Sequence, residues 1–385
     1  MIRMNPPKKI IVEAEVAHSP LMEELRARLP RTELLIVDRL SEREGQAQDP
    51  ETLEVVAFRG RFLKSCPGTR HYYCCGYRIL HFGIQCTLGC TYCILQAYLN
   101  QPGLRLFGNT DAIFGEVAAE LHAHPDHLYR IGTGEFTDSL LLDPWTGFSR
   151  RVVPFFARQP NAVVELKTKA NFIQNLADLE HEGHTIVAWS LNTEHVRKHE
   201  EPRSASIRER LEAARLCADW GYSPAFHFDP MIEHVEWRRG YKETLDRLFE
   251  AVDSRRIVWI SLGAFRFMPE LKSIIKATHS GSRILYGEFI RGLDDKMRYF
   301  RDIRVELYSL MVEYIRKVDP DLCVYLCMEG RDIWREAFGF SPEDKGGLPR
   351  MLDDAVKERM GVGLHCIEPP PLTETNVSAS CPNPQ

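Results

Sequence analysis

The chain has 385 residues, 44% of them hydrophobic and 27% charged, with a formal net charge of −5. That composition fits a soluble globular protein long enough for one large core or two domains, and no stretch approaches the roughly 20 uninterrupted apolar residues of a membrane span. The acidic balance excludes bulk charge as a means of holding a polyanion, so any nucleic-acid contact must come from a local basic patch. The opening MIRMNPPKKI lacks the apolar run of a signal peptide, and the expected location is the cytoplasm, with no membrane partner. In such a compartment eleven cysteines point to metal or redox chemistry rather than to disulfides.

In chain order, KKIIVEAEV (8–16) and ELLIVD (33–38) read as strands, and SPLMEELRARLP between them as a helix with a Ser start and a Pro stop. This β–α–β-like unit carries no glycine-rich phosphate loop. RLSEREGQAQDPE (39–51) is polar and marks a boundary near residue 50. Six apolar runs follow: YRILHF (77–82), HLYRIGT (127–133), AVVELKT (162–168), TIVAWSL (185–191), SPAFHFD (223–229) and RIVWISL (256–262). Helices are expected at 111–124, 171–183, 206–221 and 240–253. Six strands, each followed by a helix or loop, imply an α/β fold with a parallel sheet curled into a partial (β/α)6 TIM-type barrel. Its chemistry should gather at the C-terminal ends of the strands. Beyond about 263 comes a helical C-terminal region, with a long helix predicted at 296–318 and a late strand in DLCVYLCME (321–329). The domains expected are a small N-terminal α/β unit (1–50), the barrel (51–310), a C-terminal extension (311–365) and a disordered Pro- and Ser-rich tail (366–385).

Just after the first barrel strand, CTLGCTYC places Cys86, Cys90 and Cys93 within eight residues. A structural zinc site normally closes with four ligands, often as two C-x2-C hairpins, and no matching pair follows. Iron–sulfur cubanes also use thiolates, usually four. Three leave one iron with open coordination positions, where a molecule can bind and react. The spacing therefore favours a three-ligand [4Fe–4S] cluster with a reactive corner.

The C-x3-C-x2-C spacing resembles the signature of the radical S-adenosylmethionine superfamily. FLKSCPGTRHYYCCGYRILHFGIQCTLGCTYCILQAYLN, with ELKTKANFI, WSLNTEHV and EEPRSASIRERLEAARLCADWGY, resembles the DNA-photolyase-like, spore photoproduct lyase family from about residue 55 to 310. The resemblance implies S-adenosyl-L-methionine chelated to the free iron, a 5′-deoxyadenosyl radical, and repair of UV-made pyrimidine lesions in DNA. It also implies a reductant such as flavodoxin or ferredoxin. In the spore enzymes a cysteine after the second barrel strand returns a hydrogen. Here that stretch is GTGEFTDSLLLD (132–143), the position falls on Glu135 or Phe136, and no cysteine lies between Cys93 and Cys217.

The cofactor-binding residues expected are Glu135 for the methionine ammonium, Lys167 rather than Lys169 for the carboxylate, chosen by resemblance, and Ser190 and Asn192 for ribose hydroxyls or the carboxylate. Each is also an ordinary polar strand-end residue. His227 and Asp229 share a face of the fifth strand, with a satisfied structural His the alternative. Tyr92, beside the cluster, and Cys327, as hydrogen donor, are the catalytic candidates. Cys66, Cys74 and Cys75 are open to a second metal, a redox pair or packing, with packing favoured. Arg203, Arg208, Arg210 and Arg215 make one basic patch. Lys296, Arg298, Arg301 and Arg304, interleaved with Tyr299 and Phe300, make a second that is suited to DNA or to a solvated helix. Two rivals stay open: a radical enzyme with a non-DNA substrate (an RNA base, a peptide or a metabolite), and a non-catalytic metal-stabilised binding module.

Overall fold

A computed structural model describes residues 5–40, 51–68, 71–99 and 103–363. The tail expected to be disordered and most of the 39–51 linker lie outside these.

The N-terminal apolar runs build a five-stranded sheet. Lys9–Glu13 sits between Glu33–Val37 and Thr52–Val56, parallel to both. Thr52–Val56 continues in parallel to Leu104–Phe107, and Gly83–Ile84 closes the edge antiparallel. The sheet therefore takes strands from both sides of residue 50. Its helix, Pro20–Arg28, starts where Ser19 accepts from the Met22 N–H and Pro20 takes the first position, which needs no donor. Met22 and Leu25 pack against the sheet, fully buried.

The second sheet has eight strands in the order Cys323–Leu326, Trp259–Ala264, Ser223–Met231, Thr185–Ser190, Ala162–Thr168, Tyr129–Gly132, Arg78–Leu80 and Leu63–Ser65. All neighbours are parallel except the last pair. It is an open, curled half-barrel. The runs at 162–168, 185–190 and 259–264 are buried on nearly every residue, as expected of parallel strands covered on both faces. The six predicted strands all form, and the late strand adds a seventh parallel member, with Trp259 opposite Cys323.

Two helix expectations fail. Within 171–183 only Gln174–Leu176 makes a short 3-10 turn. There the Asn175 side-chain amide donates to the Asp143 carbonyl at 2.9 Å and carboxylate at 2.8 Å, and Tyr222 donates to the Leu176 carbonyl, so tertiary contacts hold the segment in its short turn. The predicted helix at 296–318 divides. Met297–Tyr299 joins Arg266–Phe267 and Phe289–Arg291 in a small antiparallel sheet, and the helix runs Arg301–Val318. Arg298, almost fully buried, bonds Asp294 and the Met328 carbonyl, which fixes the extended segment.

The apolar residues of both sheets form one continuous core. The C-terminal helix Leu348–Met360 is fastened to it through Arg130, which donates to Asp353 at 2.8 Å and to the Cys75 carbonyl at 2.6 Å. Among the described residues no helix is long and apolar enough to cross a membrane.

Candidate functional site

The cysteine loop leaves the edge strand Gly83–Ile84 and lies along the C-terminal rim of the half-barrel. The Gln85 N–H donates to the Phe136 carbonyl at 2.8 Å, which brings the loop beside the turn after Tyr129–Gly132. Gly89 holds a φ of 64°, a left-handed conformation that suits glycine between two cysteines. The Gln96 side chain donates to the Cys90 and Thr91 carbonyls, each at 3.1 Å, and the Thr91 N–H donates to the Glu200 carbonyl at 2.9 Å.

A buried carboxylate anchors this loop. Glu201 accepts from the Tyr92 hydroxyl, from Arg210 and from Ser204. Arg210, with no exposed surface, also donates to the Ser190 carbonyl at 2.7 Å and the Ala205 carbonyl at 2.9 Å. Burial alone would push the Glu201 carboxyl up. Arg210, Lys169 and the Tyr92 and Arg210 hydrogen bonds outweigh it and bring the group down to about 2. Tyr92 is thus an anchor of the loop, its phenol pushed well above its usual range by burial and by Glu201.

The three thiols suit a soft iron–sulfur group. Burial raises all three, Cys90 to about 12, with Cys86 further raised by Asp138 and by the other two. Lys169 opposes the rise at Cys90 and Cys93, and its ammonium lies 5.7 Å from the Tyr92 ring centre. A metal that displaces thiol protons meets cationic compensation here. Among the described residues no three His, Cys, Asp or Glu side chains converge on a single ion. A cubane needs no such convergence, because it spreads its ligands wider than one ion does.

Inside the half-barrel, residues of one strand face form a polar column. Glu165 accepts from the Tyr77 hydroxyl and meets His227 Nε2 at 2.7 Å and Trp259 Nε1 at 3.3 Å; His227 Nδ1 lies 2.6 Å from Ser261 Oγ. His227 is thus a satisfied structural histidine. Higher on the same face, Lys167 pairs with Glu135, and Asp229 takes both ends of Arg266 at 3.0 and 3.1 Å. Arg266 also reaches Cys327 Sγ at 3.4 Å. Gly132 is required where the column passes the sheet, because a Cβ there would stand 1.5 Å from the buried Tyr77 hydroxyl. Gly132→Ala should cost about 1–3 kcal/mol or more through overpacking, checked by denaturant unfolding with the slope unchanged.

The structure sorts the expected cofactor residues. Glu135 and Lys167 face each other, while Lys169, passed over in the sequence, faces the thiols. Asn192 is committed: its amide donates to the Pro230 carbonyl at 2.7 Å, and its oxygen accepts from Tyr241 at 2.8 Å. Ser190 is buried at the same strand end. Arg210, placed by sequence in a surface patch, is buried; it lies three residues after Ile207 and four before Ala214, on the helix's apolar stripe, and that register was the available signal. Members of the second basic patch are ion-paired: Lys296 and Arg298 with Asp294, Arg301 with Asp332 and Glu336, Arg304 with Glu329.

Comparison with known proteins bears directly on this arrangement. The spore photoproduct lyase family model matches residues 74–299, from the cysteine pair before the first barrel strand to the small antiparallel sheet. The chain belongs to the spore photoproduct lyase family. Radical S-adenosylmethionine superfamily membership follows. Spore photoproduct lyase of Geobacillus sp. (strain Y412MC61) is 26% identical over 295 residues, 72% of this chain and 84% of that one. The Bacillus subtilis (strain 168) enzyme is 25% identical over 221 residues, 57% of this chain and 63% of its own. The fold is shared with a doubly substituted spore photoproduct lyase solved with AdoMet and dinucleoside spore photoproduct: TM-score 0.73, 24% identity, 83% of this chain and 98% of that one. Family membership leaves the 132–143 stretch as the point of departure, with Glu135 and Phe136 where the spore enzymes are expected to carry a cysteine.

Proposed function

We propose that this chain is a radical S-adenosylmethionine lyase acting on UV-made pyrimidine lesions in DNA. The observation that carries the reading is the anchored three-thiol loop at the C-terminal rim of a half-barrel within the matched family region. In this reading Cys86, Cys90 and Cys93 hold a [4Fe–4S] cluster. When bound, cluster and sulfonium cofactor together supply a one-electron cleavage that yields a radical able to remove hydrogen from carbon. The chain's own residues position and screen. Lys169 presents a cation beside the thiols, suited to the cofactor carboxylate. Glu135 offers an acceptor for its ammonium, with Lys167 as the group that orients Glu135, and Ser190 lies at the neighbouring strand end. Glu201 and Arg210 hold the loop against the barrel, and Tyr92 ties it to Glu201.

Cys327, put forward for hydrogen return, stands beside Arg266 and Asp229 at the end of the late strand. A cytoplasmic setting and an external one-electron donor such as flavodoxin or ferredoxin complete the reading. The boundary expected at residue 50 cuts the five-stranded sheet, which also takes Thr52–Val56, Gly83–Ile84 and Leu104–Phe107; the barrel to 310, an extension to 365 and a tail stay as the proposed division.

Anaerobically reconstituted, reduced protein incubated with S-adenosylmethionine and UV-irradiated DNA should release 5′-deoxyadenosine and restore thymines. Cofactor cleavage without thymine restoration overturns the substrate and leaves the radical chemistry; neither product overturns both. A second reading, a radical enzyme with a non-DNA substrate, draws on the cysteine-free 132–143 stretch and the ion-paired second patch. Lesion-selective DNA binding that weakens with salt supports repair, and no binding at low salt supports the second reading.

A further inference from the structure

A cavity of about 510 Å³ opens at the C-terminal edge of the five-stranded sheet, apart from the polar column of the half-barrel. Lys9–Glu13 pairs in parallel with Glu33–Val37 on one side and with Thr52–Val56 on the other. The strand order therefore reverses between Lys9–Glu13 and Thr52–Val56. In open parallel sheets, ligands bind in the crevice beyond the C-terminal ends of the strands at such a point. Glu13 and the residues from Val56 to Phe58 line the cavity there. Ile84, two residues before Cys86, and Tyr98, five after Cys93, line it too, so the cavity backs onto both ends of the cysteine loop.

The wall is aromatic and cationic. Tyr98 lines it with 53% of its surface exposed, at the end of the short helix that follows the cysteines. Phe58 and Phe107, stacked with ring centres 4.2 Å apart, make an apolar floor beside buried His81. His81 Nδ1 lies 3.1 Å from the Lys64 ammonium, which can only donate, so the neutral ring carries its proton on Nε2. That Nε2 has no hydrogen-bond partner among the described residues, and a ring carbonyl is the kind of acceptor the floor lacks. Of the lining cations, Arg59 pairs with Glu15 and Arg105 with Glu54. Arg39 is exposed and has no ion-pair partner among the described residues. Glu13 does not oppose an anion freely: its two carboxylate oxygens are taken by the Leu40 and Ala57 N–H groups at 3.1 and 2.9 Å.

An exposed aromatic ring beside an uncommitted guanidinium is how single-stranded nucleic acid is held, with bases stacked on the ring and phosphate at the cation. We propose that this crevice seats a nucleotide of the DNA strand flanking the lesion, its base on Tyr98 and its phosphate at Arg39, resting on the DNA repair proposed for this chain. The contact lies outside the half-barrel and gives the acidic protein a local hold on its polyanion. Because Ile84 and Tyr98 bracket the cysteine loop, a strand seated here leads towards that loop.

The test gives reconstituted, reduced protein the lesion as an isolated dinucleoside and the same lesion within a single-stranded oligonucleotide. Wild type should restore thymines in both, with the lower KM for the oligonucleotide. Tyr98→Ala should raise the oligonucleotide KM about tenfold relative to the dinucleoside KM, the scale of one lost base stack. Tyr98→Phe, which keeps the ring, should match wild type. Arg39→Ala should weaken oligonucleotide binding, read by fluorescence anisotropy, and reduce its salt slope by about one. Repair of both substrates by wild type, with Tyr98→Ala and Arg39→Ala unchanged on the oligonucleotide, overturns the flanking site and leaves the repair activity standing. Equal losses on both substrates also overturn it, because the two residues then serve the reaction centre or the fold. Thymidine 5′-monophosphate that competes as well as the oligonucleotide assigns the crevice to a free nucleotide and overturns the strand. No thymine restored in either substrate overturns DNA repair, and the flanking site with it.

Discussion

Arg210→Ala should lower the unfolding free energy by about 3–5 kcal/mol, the usual cost of leaving a buried charge without its partner. Arg210 and Glu201 are both essentially without exposed surface, so solvent cannot take over the lost contact. The substitution strips the Ser190 and Ala205 carbonyls of a donor as well. Glu201 would then be driven to take up a proton, and its anchoring of the cysteine loop through Tyr92 and Ser204 would weaken. Two measurements check this. Denaturant unfolding should show the loss of stability, and reconstitution should show poorer retention of iron by the 86–93 thiols.

The pH dependence gives the same pair a second signature. Glu201 is held at about 2 in the fold against an ordinary 4.5, so its contribution is complete above about pH 4.5 and is lost as the pH falls towards 2. At neutral pH the shift is worth about 3 kcal/mol. Arg210→Ala should flatten the acid limb of stability in that window. An unchanged acid limb would mean that Glu201 does not need Arg210 for its charge.

Much of the fold was legible because its strands are nearly unbroken apolar runs. AVVELKT, TIVAWSL and SPAFHFD have to be covered on both faces, which only a parallel α/β sheet provides. The helix expected at 206–221 forms over Ile207–Asp219, its start closed by a capping box between Ser206 and Glu209. Local signals failed where distant contacts decided. The Leu176 carbonyl accepts from Tyr222 and the Asn175 side chain binds Asp143, and Met297–Tyr299 is pinned by buried Arg298. At the site, the spacing of Cys86, Cys90 and Cys93 was readable because all three thiols sit on one short loop. The different settings of Lys167 and Lys169 were not: strand alternation gives both the same facing, yet Lys167 pairs with Glu135 while Lys169 lies over the Tyr92 ring beside the thiols.

Cys90→Ala should abolish 5′-deoxyadenosine formation and reduce bound iron by the equivalent of one cluster, while Cys217→Ala should do neither. The contrast rests on surroundings rather than on residue type. Cys90 is nearly buried yet lies between Lys169, Arg210 and its two partner thiols, so removing its sulfur leaves two ligands where a cubane needs at least three. Cys217 fills apolar space on the helix behind the sheet, and its loss should cost only about 1 kcal/mol. Circular dichroism and thermal unfolding separate the two kinds of effect. Cys90→Ala should melt near wild type before reconstitution, since the loop is held by Glu201, Gln96 and the Thr91 backbone rather than by the thiol. If it instead unfolds while Cys217→Ala keeps the iron, Cys90 is part of the packing, and the loop's claim to a metal falls back on Cys86 and Cys93 alone, too few to carry the proposed chemistry.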